Sequence, residues 1–264
     1  MPRTYARAER LLTIDKLDIR YGAKIVLRDV NLHVDNITRV GLSQGQCVAL
    51  LGPSGIGKTQ LFRAIAGLQP PTQGSVTLAD GKPVIAGQIG VVQQAYPLLA
   101  HRTVMGNLRL AADKHGTPLD QINHYLEYFE LADKVDSYPS QLSGGQRQRI
   151  AIIQQLVCSN HILLMDEPFS GLDPIAKGKV YDTITKVTTE HELNTVIFTT
   201  HDIGSAVRLA DELWVLGRQP GLLGATVVKR IDLIAAGLAW DKGINHNPKF
   251  WPMVNELHDL FKTL

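Results

Sequence analysis

Apolar positions recur along the chain with two different periods. Near the start, "LLTIDKLDIRYG" and "IVLRDVNLHV" alternate apolar and polar residues, the spacing of half-buried strands. "QCVALLGPSGIGKTQLFRAIAGL" is a short apolar run, a glycine-rich turn and a stretch of helical spacing. "PPTQGSVTLADGKPV" predicts a turn, a strand, a D-G hairpin and a second strand, and "GQIGVVQQ" predicts a buried strand with glutamines at its exit. From about Thr103 to Ser137 the spacing turns helical, most clearly in "PLDQINHYLEYFELADKV". "QLSGGQRQR" opens another helix. "HILLMDEP", "NTVIFTTHD" and "ELWVLG" are three more strands, and "ELWVLG" is expected to be the last. The tail "PKFWPMVNELHDLFKTL" places Trp251, Val254, Leu257, Phe261 and Leu264 on one helical face, expected to cover the chain's own sheet or subdomain. Strands alternating with helices predict an α/β fold whose parallel sheet is covered on both faces.

Composition narrows the class. A 44% hydrophobic fraction in 264 residues supports a buried core, and a formal charge of +2 argues against a protein held to nucleic acid by bulk electrostatics. Cys47 and Cys158 each flank an apolar run and are expected to be buried, reduced thiols. No apolar run approaches the ~18 residues of a membrane helix. "MPRTYARAER" lacks the apolar stretch of a secretory signal, so a cytosolic chain is expected, with any membrane span supplied by another subunit.

The chemistry collects where strands end, as expected of parallel sheets. "GPSGIGKT" fits G-x-x-x-x-G-K-[ST] between a predicted strand and a predicted helix. In this reading Gly52, Pro53, Ser54, Gly55, Ile56, Gly57, Lys58 and Thr59 form a phosphate cradle, with Gln60 beside it as a further cofactor-binding residue. Lys58 reaches the β- and γ-phosphates, and Thr59 offers its hydroxyl to Mg²⁺. At the tip of "ILLMDEP", Asp166 is the candidate second metal ligand and Glu167 the group that polarises an attacking water. Neighbouring strand residues face opposite sides, so a shared site requires a bend, which Pro168 would help to force.

A second cradle, "LSGGQ" at Leu142 to Gln146, has glycines and a helix start but no lysine. Its sequence resembles the signature motif of ATP-binding-cassette ATPases, and it lies between the P-loop and "LLMDEP" in that family's order. The resemblance extends over roughly residues 11 to 217. Tyr21 in "IRYGAKIVLRDV" is similar to the aromatic on which adenine stacks, Gln94 in "GVVQQAYPLLAHRTV" to the Q-loop glutamine, Asp173 in "SGLDP" to the D-loop carboxylate, and His201 in "FTTHD" to the switch histidine. The resemblance implies a P-loop NTPase (RecA-like) core with a mixed sheet, an N-terminal antiparallel β-subdomain and an inserted helical subdomain at about 97–140. It implies ATP and Mg²⁺ as cofactors, with Glu167, His201, Lys58 and Gln94 catalytic and Thr59, Gln94 and Asp166 around the metal. Two copies, or one copy and a close relative, would pair head to tail. Ser143, Gly144, Gly145 and Gln146 of one would close on the nucleotide held by the other, which explains a cradle without a lysine.

Within that family two readings compete. One is the energising subunit of an importer, with polytopic membrane permease subunits docking near "AYPLLAHRTVMGN", a substrate-binding protein in the same system, and a peripheral position on the cytoplasmic face of the cell membrane. The other is a soluble cassette ATPase acting on DNA, ribosomes or cluster assembly. One cassette and no long coiled coil favour the first, without nucleic acid as partner. "WVLGRQPGLLGATVVKRIDL" is similar to the ending of nitrate-, sulfonate- and taurine-type importer ATPases, with Gln219 intervening between Arg218 and Pro220. Residues 1–217 form the ATPase domain and 218–264 a short extension with an amphipathic helix. Three departures stand out. "DNITRVGLSQ" adds roughly eight residues where a tight turn is usual, predicting a longer hairpin. Gln60 follows the P-loop threonine. Gln154 in "AIIQQLVCSNH" replaces a common arginine.

Overall fold

The computed structural model describes residues 5–39, 44–93, 95–113, 115–159, 161–241 and 243–264. Among the described residues, nine strands form one sheet in the order β4-β1-β2-β9-β8-β3-β7-β6-β5. In chain order they are β1 (Tyr5–Tyr21), β2 (Lys24–Arg39), β3 (Gln46–Leu51), β4 (Gln73–Leu78), β5 (Gly90–Val92), β6 (Ile162–Asp166), β7 (Thr195–Thr200), β8 (Glu212–Arg218) and β9 (Ala225–Asp232). The helices are α1 (Lys58–Ile65), α2 (Val104–Asp113), α3 (Leu119–Tyr128), α4 (Gly144–Leu156), α5 (Pro174–Glu190), α6 (Ile203–Leu209) and α7 (Phe250–Lys262).

Strands β8, β3, β7, β6 and β5 run parallel and form the catalytic half of the sheet. All six residues of β3 are buried, and its alternation divides them between two cores. Cys47, Ala49 and Leu51 face a core shared with residues of α2 to α7. Val48 and Leu50 face a second core shared with α1, β1, β2 and β4. The sheet is thus the wall between two apolar layers, and its strand ends are where polar groups can emerge. The edge strand β5 is blunted by Gln155, whose Oε1 accepts the outward Val91 N–H at 3.0 Å.

Three expectations need correction or completion. "ELWVLG" is not the last strand, because β9 follows it and pairs antiparallel along β8 from Glu212↔Asp232 to Arg218↔Ala225. Most residues of β9 are half-buried, so the strand shows no clean alternation by which to be recognised. The extra residues after "DVNLHV" do lengthen the hairpin, by continuing β2 to Arg39 opposite the first residues of β1, with Tyr5 across from Arg39. That extension is tied to the C-terminal segment. The Arg39 guanidinium lies 4.2 Å from the centre of the Trp240 ring and 3.3 Å from Asp211, and Arg7 pairs with Asp232 at 2.9 Å. On α7 the buried stripe is Phe250, Val254 and Leu257, with Phe261 and Leu264 partly buried, whereas Trp251 is 60% exposed. Phe250 lies four residues before Val254 and shares its face. Trp251, one residue on, is turned about 100° away. The helix packs on α6, and Leu264 closes over Gly217, where an added Cβ would approach it to 2.5 Å.

Cys47 is buried as expected, whereas Cys158 is only half-buried, its thiol donating to the Gln154 carbonyl at 3.0 Å, and neither is in a disulfide. Among the described residues no helix is long and apolar enough to cross a membrane.

Helix α6 follows the histidine strand, and its cap holds that corner. Asp202 is the N-cap, accepting the Ser205 N–H at 3.0 Å, and it pairs with Lys177 of α5. Burial pushes the Asp202 carboxyl up, but Lys177 and the two Ser205 donors outweigh it, and it sits below the usual carboxylate range. Its contribution to stability is therefore complete above the unfolded-state pKa and is lost as pH falls through the lower folded value. Asp202→Asn is expected to cost about 1–2 kcal/mol at neutral pH. Melting curves of variant and wild type should converge only below about pH 4.

Candidate functional site

Strand β3 ends at Leu51, and the chain turns through the glycine-rich loop into α1. The loop is a backbone device. Gly57, the N-cap of α1, has φ 117°, and a Cβ there would meet Leu27 at 2.8 Å. Gly55 has φ +76° and nothing within 4 Å of an added Cβ, so it faces open space. Only glycine allows this path at ordinary cost. It leaves the first N–H groups of α1 pointing into a cleft of about 580 Å³ lined by Tyr21, Lys24, Val26, Ser54, Gly55, Gly57, Lys58, Thr59, Gln60, Asp166 and Glu167.

Lys58 is buried, with Nζ donating to the Gly52 carbonyl at 2.8 Å and the Pro53 carbonyl at 3.2 Å, and 3.6 Å from Glu167 Oε1. Burial pulls its ammonium below the usual lysine range, against the opposing pull of Glu167 and Asp166. A buried cation resting on loop carbonyls gains by exchanging them for a phosphate's formal charge.

The two carboxylates reach the same cleft. The bend that permits this lies in Glu167, the residue before Pro168, at φ 46°. A non-glycine residue in that region stores roughly 1 kcal/mol or more. The turn is held by Thr199 at the end of β7, a residue that sequence reasoning missed. Its hydroxyl donates to Asp166 Oδ1 at 2.5 Å and accepts the Glu167 N–H at 3.0 Å. One buried hydroxyl therefore sets the position of both acids. The "FTTHD" run held the only clue, a polar residue late in a buried strand. Thr199→Val preserves shape and removes both bonds. We expect a stability loss of about 1–2 kcal/mol and a fall in kcat between about tenfold and a hundredfold, from misplacement of Glu167. Steady-state ATPase assays beside thermal melts will read both.

His201, two residues beyond Thr199, places Nδ1 3.0 Å from Glu167 Oε2. Lys58, Glu167 and His201 thus form a line of contacts, with Asp166 beside it. Tyr21, at the end of β1, completes one wall and is half exposed. Gln94 lies outside the described residues.

The remaining predicted residues lie apart from this cleft. Asp173 is the N-cap of α5, its Oδ1 accepting from Ile175 at 2.8 Å and Ala176 at 2.9 Å. Ser143 is the N-cap of α4, as the sequence suggested. Its hydroxyl accepts the Gln146 N–H at 3.2 Å, and Gln146 Oε1 returns the bond to the Ser143 N–H at 2.8 Å. Gly144 and Gly145 have nothing within 4 Å of an added Cβ, and none of the four signature residues lines the P-loop cleft. The chain carries two cradles that do not meet.

A family model for the ABC transporter matches residues 36–170. The chain belongs to the ABC transporter family. It is an ATP-binding, ATP-hydrolysing subunit of that family. It is 38% identical over 206 residues to an uncharacterized ABC transporter ATP-binding protein of Methanocaldococcus jannaschii, covering 76% of this chain and 75% of that one. It is 36% identical over 211 residues to an aliphatic sulfonates import ATP-binding protein of Xanthomonas axonopodis pv. citri, covering 77% and 80%. Two sulfate/thiosulfate import ATP-binding proteins are longer, and this chain spans 58% and 59% of them. The fold matches cbiO1 from Clostridium perfringens, part of the ABC transporter complex cbiONQ, with TM-score 0.73 at 23% identity over 95% of this chain and 99% of that one.

The residues of this ABC ATPase fit Mg²⁺. Among the described residues no group of three or more His, Cys, Asp or Glu could hold a metal ion. Thr59 and Asp166 nevertheless both line the cleft, and a hydroxyl with one carboxylate is the sparse oxygen set that Mg²⁺ completes with waters and substrate phosphates.

Proposed function

We propose that this ATPase energises an importer, and that two copies, or one copy and a close relative, clasp ATP between the P-loop of one and the signature of the other. The observation that carries this reading is the separation of the two cradles. Ser143 caps a helix start, and among the described residues nothing lies within 4 Å of an added Cβ at Gly144 or Gly145. A helix N-terminus bearing small residues suits a γ-phosphate presented from outside.

Within each site, Lys58 leaves the Gly52 and Pro53 carbonyls and Glu167 for the β- and γ-phosphates. Thr59 and Asp166 hold Mg²⁺, which when bound neutralises charge on the transferred group. Glu167, released from Lys58, orients a water for in-line attack and accepts its proton. His201, already on the other Glu167 oxygen, keeps that carboxylate aimed and contacts the γ-phosphate. Gln94 and Asp173 keep the roles their motifs imply, at the Q-loop and the D-loop. Charge stabilisation by fixed groups in a closed cleft is the main source of rate.

The helical region at about 97–140 would receive polytopic membrane subunits, with a substrate-binding protein delivering cargo and the ATPase peripheral on the cytoplasmic face. In support, Leu99, His101 and Arg102 are exposed while Val104 and Leu108 pack inward. Asn107, fully buried, braces the loop by accepting the Leu99 N–H at 2.7 Å and donating to the Thr103 carbonyl at 2.9 Å. The sulfonate-import relative points the same way. Affinity capture from native membranes, with mass spectrometry of the bound chains, tests the importer reading. We expect a polytopic membrane protein in stoichiometric yield. Recovery with ribosomes, DNA or cluster-assembly proteins instead would sink it.

A further inference from the structure

The Tyr21 hydroxyl donates to Gln60 Oε1 at 2.6 Å and lies 3.1 Å from Gln69 Oε1. Gln60 belongs to the first turn of α1, two residues after Lys58, and both Tyr21 and Gln60 line the nucleotide cleft. Tyr21 is 51% exposed and is not a member of either apolar core. Packing therefore does not fix the direction of its ring, and an unrestrained exposed side chain would sample several rotamers. A hydroxyl has one proton to give, and the shorter contact takes it to Gln60.

We propose that Gln60 is a positioning residue that registers the base platform to the phosphate cradle. This rests on the reading of the cleft as an ATP site with Tyr21 beneath the base. Gln60 shares a helical turn with Lys58 and Thr59, so a bond from Gln60 to Tyr21 sets the distance between the groups that grip phosphates and the ring that faces the base. The ring then waits in its binding position, and less conformational freedom is lost when nucleotide arrives. This gives a purpose to the glutamine that follows Thr59, which the phosphate chemistry alone leaves idle.

The test is a double-mutant cycle on binding, run with two ligands. Tyr21→Phe keeps the ring and loses the hydroxyl. Gln60→Leu keeps the approximate shape and loses the acceptor. Calorimetry would measure Kd for Mg·ATP and for magnesium tripolyphosphate, which has the phosphates and no base. For ATP, each single variant should bind about three- to tenfold more weakly. The double variant should match Tyr21→Phe alone, because the two residues act through one bond. Tripolyphosphate should bind equally to all four proteins. Additive losses for ATP, equal losses for tripolyphosphate, or unchanged ATP affinity would each overturn the inference. Wild-type protein that binds tripolyphosphate as tightly as ATP would also overturn it while leaving the phosphate cradle intact. Wild-type protein that binds neither would overturn the nucleotide reading itself. Tyr21 is exposed and Gln60 is half-buried, outside both apolar cores, so substitutions of this size should shift stability by less than about 1 kcal/mol and melts will show that the variants are folded.

Discussion

Glu167→Gln is expected to bind Mg·ATP with near wild-type affinity and to lose about two to four orders of magnitude in turnover, the usual contribution of a positioned general base. The amide keeps the volume of the carboxylate and can still meet His201 across the 3.0 Å contact. It cannot accept a proton from water at neutral pH. It also removes the charge opposite Lys58, which lies 3.6 Å away, and so frees that ammonium for the phosphates. The variant should accumulate as an ATP-loaded dimer, visible by size-exclusion chromatography coupled to light scattering, that reverts to monomer when ATP is withheld. Turnover within threefold of wild type would remove Glu167 from the chemistry. A loaded variant that stays strictly monomeric even alongside its own membrane subunits would remove the shared site.

The second large effect concerns affinity rather than rate. Lys58→Ala should weaken ATP binding by about 1.5–3 kcal/mol, the worth of a hydrogen bond to a charged partner, or roughly 10- to 150-fold in Kd. Fold stability should change little. The lysine is buried at a desolvation cost that pulls its pKa down, and Glu167, its partner, remains partly open to solvent, so removing the cation strands no deeply buried charge. The carbonyls of Gly52 and Pro53 lose a donor that water can replace. Calorimetric titration with ATP and a thermal melt of the apo protein separate the two claims. A melt lowered by ten degrees would mean that Lys58 is a structural clamp of the loop, and a Kd within threefold of wild type would remove it from phosphate binding.

These two residues also mark how far the sequence could be read. Lys58 was legible from its motif, because a glycine-rich turn between strand and helix has one physical use that also requires a lysine. Glu167 was legible as chemistry but not as geometry. The motif supplied two adjacent acids. What lets them share a cleft is a left-handed φ at Glu167 and a hydroxyl from a strand more than thirty residues away.

What the sequence determined by itself was local: the periods of strands and helices, the phosphate cradle, the capped start of α4 at Ser143 and the order of the motifs. Each depends on residues within a turn or two of one another, so composition and spacing carry the information. The tertiary structure alone decided the pairing of β9 with β8, the anchoring of the long hairpin on Trp240 and Asp211, the burial of Phe250 in place of Trp251, the Thr199 bridge and the bond from Tyr21 to Gln60. The anchor of the hairpin, the Thr199 bridge and the bond from Tyr21 to Gln60 join residues far apart in the chain, whereas β9 follows β8 directly and Phe250 adjoins Trp251. Their energies arise only when folding brings the partners within hydrogen-bonding or packing distance, and no local pattern encodes that meeting. The helix face was settled in the same way, by which side α6 and β8 covered.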